Sequence, residues 1–265
     1  MFITPELEVN SYNESNKRVL GGKSMKVTCP VAMMNKGSYN TQSFSNQNFV
    51  KLEELMYEQQ VKRGEKIYWE GNDCNHLYYL KSGAVKLTKS SDEGKDLVLY
   101  HFQAGDLFGE IGDDSHVLNS FSAEAMTDCS LGVIQQKDLE TILWQNGDLA
   151  VEFMKWMGYM QRFTQTKLRD LMFFGKHGAL ASTLIRIANT YGIEEGNTIR
   201  MTTKFTNTEI ADLIGATRET VNRMLNQFKK DNIIAYENGT IMIKDLEQLK
   251  AICHCEGCPK NICRL

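Results

Sequence analysis

The hydrophobic pattern changes period twice along the chain. From about Val50 to Ile142, apolar residues come in short runs cut by turn residues. Tyr78-Tyr79-Leu80 precedes Lys81-Ser82-Gly83, and Val85-Lys86-Leu87-Thr88 alternates. Asp92-Glu93-Gly94 then turns the chain, Leu97 to Phe102 follows, and Gly105-Asp106 turns it again. Closely spaced strands with glycine-rich turns predict a sandwich or jelly roll. Next, Leu149, Phe153, Trp156, Met160 and Phe163 step alternately by four and three. That spacing predicts a long helix to about Phe174, ended by Gly175 and Gly178. Its heptad stepping and aromatic bulk point to a two-chain seam, the alternative being a helix packed on its own domain. The remainder reads as helices and a hairpin, Ile233 to Tyr236 and Thr240 to Ile243 around Glu237-Asn238-Gly239. Asp245 is placed to cap a short helix, Leu246 to Ile252. Residues 1 to about 45 show no sustained periodicity and read as a mobile extension, with Met25 and Met33 as further candidate starts.

Composition narrows the class. Of 265 residues, 42% are hydrophobic and 24% charged, as in a globular protein. A net charge of −3 excludes global basicity, so any contact with nucleic acid needs a local patch. No apolar run is long enough to span a bilayer, and the start lacks a signal-peptide pattern, so a cytoplasmic protein is expected. Seven cysteines in a reducing compartment favour metal ligation or redox sensing over disulfides. Cys29, Cys74 and Cys129 are scattered and read as ordinary thiols.

Two segments carry chemistry. Thr206-Asn207-Thr208-Glu209 fits a capping box opening a helix with Ile210, Leu213 and Ile214 on its apolar face. Gly215 permits a turn, and Thr217 can cap the next helix, Arg218 to Lys230, which buries Val221, Met224, Leu225 and Phe228. Its other face offers Arg218, Glu219, Asn222 and Arg223, whose side chains match guanine, cytosine and adenine edges in a major groove. Lys229 and Lys230 suit phosphates. With the following hairpin, this is a winged helix-turn-helix. The second segment holds Cys255, Cys258 and Cys263 spaced C-x2-C-x4-C. By spacing alone, either Zn2+, completed by Cys253 or His254, or a [4Fe–4S] cluster fits, the bland alternative being a tail of free thiols. No C-x3-C-x2-C run and no nucleophile–base set suggests an enzyme.

Arg218-Glu219-Thr220-Val221-Asn222-Arg223-Met224-Leu225 resembles the recognition helix of the CRP/FNR regulators. The resemblance extends through Gly64-Glu65, Glu70-Gly71, Leu77 to Gly83 and Gly105-Asp106-Leu107-Phe108-Gly109-Glu110, over most of residues 50 to 250. It implies an α+β chain. A cyclic-nucleotide-binding-like β-roll would span 46–145, a dimerisation helix 146–175, a winged helix-turn-helix 176–250 and a cysteine tail 251–265, with the extension over 1–45. It also implies a homodimer with RNA polymerase and double-stranded DNA as partners, no membrane, and Glu219 and Arg223 as base readers. Arg218 resembles the CRP-like form of the helix, which reads TGTGA half-sites. Cyclic-nucleotide members hold the ring phosphate with an Arg about ten positions after the Gly-Glu pair; Gly109 to Phe121 contains none, and Asp113 and Asp114 add repulsion. The roll is therefore expected to be a frame. His101 and His116 read as structural or surface histidines, and no haem ligand is evident.

Cys255 to Cys263 resembles the end of the Bacillus-type Fnr proteins, which carry an oxygen-labile [4Fe–4S] cluster there. A cube needs four ligands and the tail offers three matched cysteines. Continuing the stripe from Phe163 reaches Lys167, Asp170 and Phe174, and Leu168-Arg169-Asp170-Leu171 resembles the stretch holding an aspartate ligand in those proteins. Asp170 is the expected fourth ligand; the alternative is that it pairs with Lys167 or Arg169 or fixes the seam's register. The expectation is an oxygen-responsive regulator, mainly an activator of anaerobic genes. A zinc-stabilised or small-ligand-responsive relative is the alternative.

Overall fold

The computed structural model describes residues 39–94, 96–112 and 117–265. Most of the expected extension, with Met25, Met33 and Cys29, lies outside the described residues, as do Asp113, Asp114 and His116. The extension's end is not loose. A 3-10 turn, Asn40–Ser43, is followed by α1 (Asn46–Glu53), capped by Ser45. Asn40 is buried, its amide donating to Leu107 O at 2.7 Å and its carbonyl accepting from Leu107 N at 2.8 Å.

Among the described residues, eight strands build the roll: β1 (Tyr57–Val61), β2 (Lys66–Tyr68), β3 (His76–Ser82), β4 (Ala84–Ser90), β5 (Asp96–Gln103), β6 (Leu107–Phe108), β7 (Ser122–Ala125) and β8 (Cys129–Gln135). They form two antiparallel sheets ordered β1-β8-β3-β6 and β2-β7-β4-β5. Pleat alternation sends Val85 and Leu87 inward and leaves Lys86 half-exposed. The interior holds a column of stacked rings, Tyr68, Tyr78, Phe108, Phe102, Tyr100 and Phe163, with successive centroids 4.9–5.4 Å apart.

After α2 (Gln136–Gln145) comes α3 (Gly147–Tyr191), a helix interrupted at Gly175. There φ is 56°, a left-handed conformation glycine adopts without a Cβ clash. The chain resumes helical structure at once, so Gly178 does not end the helix; it is buried within the second half. The aromatic stripe corrects the expected seam. Leu149, Phe153, Trp156 and Phe163 are all buried within their own chain, against α1, α2 and the roll. Fully burying such a side chain is worth about 1.5–3 kcal/mol, so these residues are committed to the roll and not free for a second chain. The exposed face carries a different heptad: Val151, Met154, Gly158, Gln161, Gln165, Leu168 and Met172.

The winged domain follows: β9 (Gly192–Glu195), β10 (Thr198–Met201), α4 (Asn207–Ile214), α5 (Arg218–Lys230), β11 (Ile234–Glu237), β12 (Thr240–Ile243) and α6 (Leu246–Ile252). Its sheet is ordered β11-β12-β10-β9. The β11–β12 turn puts Asn238 (φ 51°) and Gly239 (φ 79°) in the left-handed region, as a type I′ hairpin needs. The domain's core, from Leu180 through Phe228 to Leu249, also takes in Val98 of β5 and Cys253, Cys263 and Leu265 of the tail.

Candidate nucleic-acid interface and cysteine site

The helix pair forms by local rules. Thr206 accepts from Glu209 N while the Glu209 carboxylate accepts from Thr206 N at 2.7 Å, closing the capping box. Gly215 ends α4 at φ 58°, and Thr217 caps α5 by accepting from Thr220 N at 3.2 Å. Val221, Leu225 and Phe228 are buried, with Met224 partly so. Arg218, Glu219, Asn222, Arg223, Lys229 and Lys230 are all exposed on the opposite face. Asn207 of α4 donates to the Asn222 carbonyl oxygen at 3.1 Å, fixing that amide's direction. Sequence reading missed this contact because it joins two helices.

The tail folds back over α3. α6 is capped by Asp245, which accepts from Gln248 N at 2.9 Å, and Pro259 O then accepts from Ile262 N at 2.9 Å and Cys263 N at 2.8 Å. Cys255 and Cys258 are half-buried; Cys253 and Cys263 are buried. Burial pushes the Cys263 thiol up; Arg186 opposes this, while Cys255 and Cys258 add to it. Cys255 and Cys258 pack against the same core that holds Cys263. Burial, followed by Cys255 and Asp170, pushes Cys253 up to about 12, so it is a protonated thiol. His254 stacks on Phe174 at 4.8 Å. Among the described residues, no three His, Cys, Asp or Glu side chains stand in an arrangement able to hold a metal ion. The thiols are gathered here but not set as a cage.

Asp170 is buried at the junction between the halves of α3. One carboxylate oxygen accepts from Arg169 Nη2 at 2.6 Å and Nε at 3.0 Å. The other accepts from Arg186 Nη2 at 3.1 Å and from the Ser182 hydroxyl. The pairing with Arg169 weighed from sequence is present, Lys167 is not a partner, and Arg186 and Ser182 were not foreseen. A clue existed: Arg186 is a single cation in the apolar run Ala179 to Ala188, and such a cation stays buried only when paired.

Lys167, Arg169, Arg186 and Arg264 cluster in this interior; Asp170 pairs with Arg169 and Arg186, Asp106 with Arg264, and the exposed Glu256 with Arg169. Burial, then Arg186 and Arg264, pushes the Lys167 ammonium down to about 7. Thiolate ligation of a metal group brings net negative charge, which Arg169 and Arg186 beside the thiols would offset. The donor set therefore fits an iron–sulfur group in its softness and charge.

In the roll, Gly109 to Phe121 carries no Arg or Lys to meet a ring phosphate. Glu110 accepts from Ser120 N at 3.0 Å, and Lys89 is bonded to Glu70 at 2.6 Å. Cys74 and Cys129 are buried thiols raised by burial. His101 is buried and held neutral, its pKa pushed down to about 3 by burial, then by Lys167 and Lys86.

These features are those of a β-roll joined by a long helix to a winged helix-turn-helix domain. The family model for the cyclic nucleotide-binding domain matches residues 58–146, and that for the Crp-like helix-turn-helix domain matches 178–252. The chain belongs to the CRP/FNR family of transcription regulators. It is 37% identical over 219 residues to the "Anaerobic regulatory protein" of Bacillus subtilis, covering 81% of this chain and 91% of that one. The "CRP-like cAMP-activated global transcriptional regulator" of Mycobacterium tuberculosis is 29% identical over 187 residues, covering 71% and 84%. Among solved structures, a CooA mutant from Carboxydothermus hydrogenoformans superposes with a TM-score of 0.66 at 25% identity, covering 77% and 90%. FixK2 from Bradyrhizobium japonicum gives 0.62 at 21%, covering 74% and 96%, which supports the fold. The matched proteins are regulators and not enzymes, and members of the family bind DNA and typically act as dimers. Among the described residues, no helix is long and apolar enough to cross a membrane.

Proposed function

We propose that this chain is an oxygen-responsive regulator, mainly an activator of anaerobic genes, switched by a [4Fe–4S] cluster on its tail. The observation that carries the reading is the packing of the three tail cysteines on one core beside Arg169, which pairs both with Asp170 and with Glu256, which lies between Cys255 and Cys258. Likeness to an anaerobic regulatory protein supports it. Cys255, Cys258 and Cys263 would hold the group and Asp170 would complete it by giving up one of its present donors. Such a group supplies an oxygen-labile redox centre. The protein's part is to brace the break at Gly175, so that the winged domains of a dimer stay about 34 Å apart on successive major grooves.

The exposed heptad from Val151 to Met172 is the proposed dimer face. Met154, Leu168 and Met172 are 62%, 57% and 72% exposed, which suits a surface covered by a second copy. Gln161 and Gln165 at its middle set register at a cost in stability. The operator is a two-fold TGTGA-like palindrome, with RNA polymerase as the further partner. Arg223→Ala should cost about 1–3 kcal/mol and relax base discrimination, while Lys230→Ala should weaken all sequences alike. Binding titrations on matched and mismatched operators separate these outcomes. If both variants weaken all sequences equally, the base-reader assignment is wrong.

Cyclic AMP should leave DNA binding unchanged. The phosphate Arg is missing, and the ring column fills the roll's interior. Micromolar binding by calorimetry would overturn this.

The reading itself is tested by anaerobic purification with iron and sulfide assays and a visible spectrum. Iron and sulfide with absorbance bleached by air support it. Bound zinc without colour would favour the zinc-stabilised alternative.

A further inference from the structure

Residues Asn261 to Leu265 are gripped along their whole length. The Tyr159 hydroxyl donates to Asn261 O, and Arg186 Nη1 donates to Ile262 O at 3.2 Å. Asn189 Nδ2 donates to Cys263 O at 2.7 Å, and Leu265 N donates to Thr190 Oγ1 at 3.2 Å. Tyr159 precedes the break at Gly175, and Arg186, Asn189 and Thr190 follow it. This segment therefore spans the break.

It also reaches the roll. Arg264 Nη2 donates to Asp106 Oδ1 at 2.7 Å, with the two side chains 5% and 0% exposed. Asp106 lies just before β6, where it also accepts from Asn40 N and Gln103 N, each at 2.8 Å. Asn40 in turn accepts from Leu107 N. One guanidinium thus closes a network joining the chain before α1, the β5–β6 turn and the tail. A buried ion pair cannot be half-made without stranding a charge, so the segment is seated or it is not.

We propose that Arg264 is the positioning residue that passes the state of the cysteine site to the β-roll. Cys263 is its chain neighbour. Whatever holds the Cys263 sulfur fixes the backbone from which Arg264 reaches Asp106. When it is seated, the roll, both halves of α3 and the tail beneath the winged domain are tied as one body. When it is not, the break at Gly175 loses its brace on the roll side. This inference rests on the cluster reading above and assigns the contact through which that site acts.

The test uses the full chain with Arg264→Met, Arg264→Lys and Asp106→Asn. In iron-loaded protein kept without oxygen, the Met and Asn variants should speed hydrogen exchange at the Asn40 and Leu107 amides, and the Lys variant should stay near wild type. The second measurement is the ratio of operator affinities with and without iron, taken without oxygen. Wild type should show roughly tenfold or more, as allosteric couplings do. Arg264→Met should keep its iron and sulfide while that ratio falls towards one, and Arg264→Lys should restore most of it. A merely structural Arg264 would lower both affinities together and leave the ratio intact. Should Arg264→Met fail to fold, Asp106→Asn gives the same two readings. Unchanged exchange, or a wild-type ratio in a variant that has lost the pair, overturns the proposal. Wild-type protein that takes up no iron sinks the cluster reading instead, and the same exchange measurement on the protein as purified then decides whether the clasp stands.

Discussion

Asp170→Ala, reconstituted without oxygen, is expected to lose the cluster or its DNA binding, and to be less stable by about 3–5 kcal/mol. The stability loss follows from geometry alone. Arg186 is almost wholly buried and donates to this carboxylate, so alanine strands its charge, while Arg169 keeps Glu256 as a partner. Ligation is separated from architecture by Asp170→Cys, which restores a ligand but not the four-donor carboxylate. The Cys form should keep the cluster while remaining destabilised in urea titrations. An Ala variant with a normal cluster and normal anaerobic DNA affinity would sink the ligand assignment, leaving His254 or Cys253 as the next choice. Normal stability would sink the hub.

Alanine at Cys255, Cys258 or Cys263 should abolish iron and sulfide retention one residue at a time, while alanine at Cys253 should spare it. The structure sets Cys253 apart from the other three. It is 2% exposed, its Sγ lies 3.7 Å from Lys250 O, and burial holds it protonated far above neutrality. A ligand thiol must ionise, and burial opposes that at Cys253. Colour lost in the Cys253 variant as well would point to four cysteines and return zinc to contention.

Elements governed by neighbours in sequence were legible. The capping box, the Gly215 turn, the Thr217 cap, the Asn238-Gly239 hairpin and the Asp245 cap are each a matter of a few adjacent residues, and each stands as expected. The helix stripe was read with the right period and the wrong partner. Two heptads run along α3, one through Phe153 and Trp156, the other through Met154 and Leu168, and period alone does not say which meets a second chain. Bulk decides it: the larger aromatics complete the roll, and the slimmer methionines are left outside. The charged interior was least legible. Arg264 and Asp106 lie 158 positions apart, and nothing local to either predicts the other. Only Arg186, conspicuous in its apolar run, advertised a partner.

The glycine break in α3 has a consequence for how such a regulator diversifies. The exposed heptad ends just before Gly175, so pairing of two chains does not by itself dictate where the winged domains point. That angle is left to the residues bridging the break, Asp170, Ser182, Arg186 and the segment ending at Leu265, and to the seating of Val98 of β5 in the winged domain's core. Drift in these few positions can retune operator spacing while the pairing face and the base-reading helix stay untouched. Under the proposed function, inheritance of target geometry and inheritance of sensing would be written in the same few codons, and selection on one would move the other.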